Sequence, residues 1–291
     1  MSQASPTAAD STLAGKTPSV SVVICVIDPH PVYFVQAVRS ILEQSVRDLE
    51  LIIIEEPSSA SAAPLLAGIA DPRIRHYAHP QRTSLVEQRN RGIEHARAEL
   101  IAVLDADDIA EPDRLQKQLC FMHAHPEVGA LGTQLRLIDP SGATLGYRHY
   151  PVEPGAVTDA LASINPIGQP AVMYRKALVQ SLGGYRYGRY PATEDYELWC
   201  RMAATGAKLA NLDEALVRYR IHPGAMKTTK LHGILRGTIE IKEQYFKGRM
   251  SARARLRLLG EKLLLHLPPP LVLRLFLATS LRRDEPRGAS R

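Results

Sequence analysis

Acidic side chains gather at two places in this chain where they could act together. Glu55-Glu56 follows one apolar run, and Asp105-Ala106-Asp107-Asp108 places three carboxylates within four residues directly after another. Carboxylates bunched this way repel unless a cation joins them. Hard oxygen donors suit Mg²⁺ or Mn²⁺, ions commonly held between protein carboxylates and ligand phosphates. A lone Asp after a strand often only starts a turn; three acids in four residues point past that reading. No GxxxxGK[ST] run is present and no GxGxxG follows a strand, so two common glycine-rich phosphate cradles are excluded.

The elements that must position these acids can be read from periodicity. Val20–Ile27 is a near-continuous β-branched run, as expected for a strand buried on both faces. Phe34, Val38, Ile41 and Leu42 then recur on one helical face, and a second buried strand spans Leu49 to Ile54. This β-α-β opening is the unit of a parallel α/β sheet. The pattern continues with a helix over 63–70, a short strand over 74–77, a helix over 84–98 and a third buried strand over 100–104. Pro112 is expected in the first turn of the next helix. Strands over 128–138 and 146–150 flank the turn Asp139-Pro140-Ser141-Gly142, and helices follow at about 156–163, 175–182 and 195–205. Residues 230–247 and 251–266 read as helices with basic faces. Both acidic clusters thus fall at the carboxyl ends of strands, where open α/β sheets bind ligands.

The chain of 291 residues has a formal charge of +6, but the sign is split along its length. Residues 227–291 carry 15 Lys and Arg against 5 Asp and Glu, a net of +10; the preceding residues carry 21 against 25, a net of −4. A mildly acidic body disfavours nucleic acid as the partner. In the tail, Leu256, Leu259, Leu263 and Leu267 form a stripe beside Arg253, Arg257 and Lys262. Such a segment suits an anionic membrane surface, and peripheral contact with the inner membrane through this extension is expected. Cys25, Cys120 and Cys200 lie far apart without metal or disulfide spacing, which fits a reducing, cytoplasmic setting. The first 19 residues lack an apolar segment and read as a disordered lead-in, and no apolar run is long enough to span a bilayer.

Val20-Ser21-Val22-Val23-Ile24, Ser40-Ile41-Leu42-Glu43-Gln44-Ser45, Glu50-Leu51-Ile52-Ile53-Ile54-Glu55-Glu56, Gln88-Arg89-Asn90-Arg91-Gly92-Ile93 and Leu104-Asp105-Ala106-Asp107-Asp108 occur in this order. Together they resemble the family 2 glycosyltransferases of GT-A fold. Downstream, Glu194-Asp195-Tyr196-Glu197-Leu198-Trp199 and Tyr219-Arg220-Ile221-His222 are also similar to that family. The resemblance implies a Rossmann-like, mostly parallel sheet flanked by helices. It divides the chain into a lead (1–18), a GT-A domain (19–228, with a nucleotide-binding half to 110 and an acceptor half from 111) and a basic helical extension (229–291).

The same resemblance implies inverting transfer of a sugar from a nucleotide diphosphate sugar, with a UDP-sugar expected. The acceptor would be a hydroxyl of a glycan or lipid-linked glycan, in surface polysaccharide assembly. Asp105 and Ala106 then fall to the nucleotide, Asp107 and His222 to a Mg²⁺ or Mn²⁺ ion, and Asp195 to the catalytic base. Glu56 stands where the family has an acid on the nucleotide base, and Arg89 where a basic residue borders the donor. Gln169 and Glu194 are expected on the acceptor side. Inverting chemistry requires a carboxylate opposite the leaving group and a cation at the departing diphosphate, so the two acidic sites must be separate. Two stretches depart from the pattern. Glu55-Glu56 replaces the usual pair of aspartates, and the first strand ends Cys25-Val26-Ile27-Asp28 without an aromatic, leaving backbone groups of Cys25 and Val26 and the side chain of Asp28 to meet the nucleotide. Two other readings stay open on the residues alone: a non-catalytic sugar-nucleotide binding protein, suggested by Glu55-Glu56, and a sugar-1-phosphate nucleotidyltransferase, against which Asp28-Pro29-His30-Pro31 lacks a glycine-rich basic loop.

Overall fold

The computed structural model describes residues 17–186, 192–222, 230–269, 271–272, 274–275 and 282–286. The expected lead therefore lies almost wholly outside the described residues. The elements in chain order are β1 (Val20–Val26), α1 (Pro31–Leu42), β2 (Leu49–Glu55), α2 (Ala63–Ala67), β3 (Ile74–Ala78), α3 (Leu85–His95), β4 (Leu100–Val103), β5 (Ile109–Ala110), α4 (Arg114–Ala124), β6 (Val128–Ile138), β7 (Thr144–Arg148), α5 (Pro154–Ala160), a 3₁₀ turn (Gln169–Ala171), β8 (Met173–Arg175), α6 (Lys176–Ser181), α7 (Glu194–Ala204), β9 (Lys208–Arg220), α8 (Leu231–Phe246) and α9 (Ala252–Leu264).

One sheet runs through the molecule in the order β3-β2-β1-β4-β8-β6-β9-β5, with β7 paired to β6. β3, β2, β1 and β4 are parallel to their neighbours, as the buried apolar runs require. Beyond β4 the pairing is mixed. β8 is antiparallel to both β4 and β6, and β5 to β9, whereas β6 and β9 run parallel. The mostly parallel sheet expected is thus unbroken from β3 to β4, and beyond β4 one parallel pair, β6 with β9, sits among antiparallel ones.

Helices cover both faces. α1 buries Phe34, Ala37, Val38, Ile41 and Leu42 on one side, where α4 also packs. α3 and α7 cover the other, with Trp199 fully buried at its centre. Gly92 allows the close approach of α3 to the sheet, because a Cβ there would stand 2.4 Å from Cγ1 of Val23. The Ser84 hydroxyl accepts from Glu87 N and fixes where α3 begins.

One local expectation needs correction, and one strand was not foreseen. Pro112 precedes α4 rather than entering its first turn; Asp113 is the residue at the cap and the helix starts at Arg114. The thirteen-residue strand β9 has no clear alternating signature, because Asn211, Asp213 and Glu214 interrupt its apolar residues. Its pairing with β6 absorbs the interruption through register shifts between Thr133 and Leu135, and Asn211 Nδ2 donates to the carbonyls of Pro151 and Pro166.

Candidate functional site

The acidic loop Asp105–Asp108 leaves β4 and passes into β5, which pairs with the end of β9. Ile109 lies opposite Arg218. Two further residues along each strand set Arg220 against Asp107, which is how the late part of the sequence reaches the acidic loop. Arg220 N donates to Asp108 Oδ1 at 2.8 Å and Arg220 Nε to the Asp107 carbonyl at 2.9 Å. The same guanidinium donates to Gln36 Oε1 and to the Pro140 carbonyl and lies 4.2 Å from the centre of the Tyr33 ring. It therefore pins the acidic loop to α1 and to the turn after β6. His222 Nε2 lies 2.8 Å from Asp107 Oδ2, and the Asp107 side chain keeps 33% of its surface exposed. Asp105 and Ala106 are half-buried at the start of the loop, Ala106 against the core beneath.

Arg114 lies under this loop and is fully buried. Its Nη2 donates to the carbonyls of Val103 and Val172, and its Nε to Gln118. Burial pushes its pKa down to about 9, opposed by the charges of Asp108 and Asp105. A buried cation thus stands beneath the acids, offsetting part of their mutual repulsion.

The second group of residues surrounds Arg89 on α3. Arg89 is 7% exposed and forms a buried ion pair with Glu194, and its guanidinium lies 5.5 Å from the centre of the Tyr185 ring. Burial alone would lower its pKa; the charges of Glu194, Tyr185, Asp105 and Asp195 outweigh this and hold it above the ordinary value. Arg89 therefore feels both the acidic loop and Asp195. Asp195 opens α7, half-buried. Asn165 Nδ2 donates to its Oδ2 at 2.9 Å, and Tyr196 N to its Oδ1. Burial raises the Asp195 pKa, reinforced by Glu194 and opposed by Arg89. Gln169 is buried and donates from Nε2 to the Tyr185 hydroxyl, while its Oε1 has no hydrogen-bond partner among the described residues. Asn90 clamps the preceding loop, donating to the Tyr185 carbonyl and accepting from Tyr185 N.

The end of β1 completes the edge. Cys25 is half-buried and burial pushes its thiol up to about 12, so it is neutral and a poor nucleophile. The Val26 carbonyl accepts from Glu56 N. Asp28 sits in the left-handed region (φ 47) and accepts from Ser59 N and Oγ; the Ser59 hydroxyl leads the effects that lower its pKa.

The structure gathers Cys25, Arg89, Asp105, Glu194 and Asp195 within electrostatic reach of one another, with Asp107 and His222 paired beside Arg220. Two residues expected at the ligand have internal partners. Glu56, expected on a nucleotide base, is fully buried, and its carboxylate accepts from the backbone and hydroxyl of Thr83. Glu194, expected on the acceptor side, is turned inward on Arg89 and is 5% exposed. Sequence reasoning missed Arg114 and Thr83, and took Arg220 only as part of the stretch Tyr219 to His222. For Arg114 and Gln118 a signal existed, since they recur i, i+4 on the apolar face of α4 beside Leu115, Leu119 and Met122.

Residues 21–178 match the family model described as Glycosyl transferase family 2. The chain is 30% identical over 205 residues to the O-antigen biosynthesis glycosyltransferase WbnJ of Escherichia coli, covering 69% of this chain and 79% of that protein. The mannosyltransferase PcManGT of Pyrobaculum calidifontis, solved in complex with GDP-Man and Mn²⁺, superposes with a TM-score of 0.61 at 16% identity, covering 91% of this chain and 74% of that one. TarS 1-349 of S. aureus in complex with UDP gives 0.62 at 13% identity, covering 91% and 75%. At such identities the two structures speak to the fold, which is the GT-A arrangement of a mixed sheet with flanking helices. The chain spans 48% to 69% of the length of four curated relatives that it matches and 43% of a longer TarS chain. By the extent of the family match, more than half of the sequence, the chain belongs to glycosyl transferase family 2.

Proposed function

We propose that the protein transfers a sugar from a nucleotide diphosphate sugar, a UDP-sugar first, to a hydroxyl of a glycan or lipid-linked glycan, with inversion. It would serve surface polysaccharide assembly on the cytoplasmic side of the membrane. The observation that carries this reading is a buried cation, Arg89, within electrostatic reach of both Asp105 of the acidic loop and Asp195, with Asp107 of that loop paired to His222.

Among the described residues no three ligand-type side chains converge on a metal site. That donor set still fits Mg²⁺ or Mn²⁺, which is typically held by one or two carboxylates together with substrate phosphates. Asp107 and His222 are the residues that would hold the ion, with Asp105 toward the nucleotide. When bound, the ion would offset charge that builds on a departing diphosphate. Arg220 keeps the loop that carries these groups in place. Asp195 takes the proton of the acceptor hydroxyl. Its raised pKa makes it a stronger base than an ordinary aspartate, held in orientation by Asn165. Arg89 and Glu194 form a buried ion pair, and Arg89 lies within electrostatic reach of Asp105 and Asp195. WbnJ is named for O-antigen biosynthesis, PcManGT was solved with GDP-Man and Mn²⁺, and TarS with UDP; these support the substrate classes proposed.

A transfer screen of UDP-, GDP- and dTDP-sugars with Mn²⁺ or Mg²⁺ tests the reading. The expected result is donor consumption with one nucleotide class, lost on chelation and in Asp195→Asn. Donor turnover that is unaffected by both chelation and that substitution would overturn it.

A further inference from the structure

We propose that the outer face of α9 is a docking surface for an anionic lipid bilayer. The inference rests on the tail's own surface and stands apart from the reading of the sheet-edge site.

A helix packed on a globular body normally turns its apolar stripe inward. α9 carries a second one on its outer side. Its packed side is made by Ala254, which is buried, by the half-buried Leu258 and Leu264, and by Glu261, which accepts from Lys242 Nζ of α8 at 2.6 and 2.7 Å. Lys242 is itself buried and also donates to the Ser163 carbonyl, so a polar cluster seats α9 on the body. Leu256, Leu259 and Leu263 are 71%, 55% and 62% exposed. At about 100° per residue, these three leucines lie roughly opposite Ala254 and Glu261. Of the eight large apolar side chains that stand exposed among the described residues, five fall between Leu256 and Leu275. The acid-rich body has few such side chains on its surface.

The charges beside the stripe select the occupant. By the same helical count, Arg253 borders the leucines on one side and Arg255 and Lys262 on the other; Arg257 lies beyond Arg253, and all four are exposed. Arg257 pairs with Glu261 at 3.2 Å, and Glu243 of α8 pairs with Lys262 at 2.6 Å. Leucine flanked on both sides by arginine matches a surface with an apolar interior and anionic headgroups. A second copy of this chain would bring the same positive tail, net +10 over residues 227–291, against itself. Among the described residues no helix is long and apolar enough to cross a membrane, so the contact is one of lying on the surface.

The test is co-sedimentation of the full chain with vesicles of phosphatidylcholine alone or with added phosphatidylglycerol. Binding is expected with phosphatidylglycerol and should weaken as salt rises. Leu256→Gln/Leu259→Gln/Leu263→Gln should lower the vesicle affinity roughly tenfold or more. Arg253→Gln/Arg257→Gln should lower it less and flatten its salt dependence. All five positions are exposed, and an unchanged Tm for both variants would show that the fold is intact. Absence of wild-type binding, or equal binding by the triple leucine variant, would overturn the proposal. So would a concentration-dependent dimer in analytical ultracentrifugation that the leucine substitutions disperse while no vesicles bind.

Discussion

Glu50 and Asp107 are acids at opposite edges of the same sheet, and their surroundings differ in kind. Glu50, near the start of β2, is 1% exposed and its carboxylate is saturated. It accepts from Ser21 Oγ at 2.6 Å and from Arg97 N, Arg97 Nε and Arg75 Nη1, each at 2.7 Å. Asp107, after β4, keeps a third of its side chain exposed, and Arg220 supports it through the backbone carbonyl, leaving the carboxylate to face His222. One acid is consumed by the fold. The other is presented by it. Burial of a carboxylate at a strand end is therefore a poor guide to function; what matters is whether its oxygens are already occupied by fixed donors.

The sharpest ways to break this contrast are substitutions at the presented edge. Asp195→Asn should cut the transfer rate about 10²- to 10⁴-fold, the usual worth of a general base, with Tm retained. Asp107→Ala should lower it by about 10³-fold through loss of several kcal/mol at the departing diphosphate, again without unfolding. Arg220→Gln should cost less, about tenfold, because it acts by holding the loop; its effect should fall mainly on the metal concentration needed. Glu50→Gln inverts the pattern. It should leave the rate per folded molecule unchanged and lower stability by about 2–3 kcal/mol, the range for lost charge-assisted hydrogen bonds.

The pH dependence separates the two edges further. Burial alone would raise the Glu50 pKa; the bonds from Ser21, Arg97 and Arg75 win and lower it below 4.5. The stability it supplies is therefore complete above pH 4.5 and lost as pH falls through the depressed folded value. Thermal melts should show the wild-type advantage over Glu50→Gln shrinking in that acid range. Asp195 shifts the other way. The acid limb of the rate should lie above that of an ordinary aspartate and disappear in Asp195→Asn.

Much of the parallel half of the sheet was legible because its strands are buried on both faces and read as unbroken apolar runs. β9 was not, since its register with β6 is set by shifts and by Asn211, long-range contacts that no local pattern encodes. At the site, the acids after β2 and β4 could be listed from residue type and position, and Asp195 and His222 from the resemblance alone. Their partners could not. The ion pair of Arg89 with Glu194 joins residues 105 positions apart, and the contact between Arg220 and the acidic loop spans 113. Glu56 shows the same limit from the other side. Its type suggested a ligand contact, and only the placement of Thr83 reveals an internal one.

Calorimetric titration of UDP into wild type and Asp107→Ala, each with Mn²⁺ or with EDTA, asks whether the acids after β4 meet a divalent ion and a nucleotide diphosphate. Binding to the wild type should depend on Mn²⁺ and fall sharply in Asp107→Ala, whose Tm is unchanged. Equal UDP affinity in both proteins with and without the metal would contradict the account.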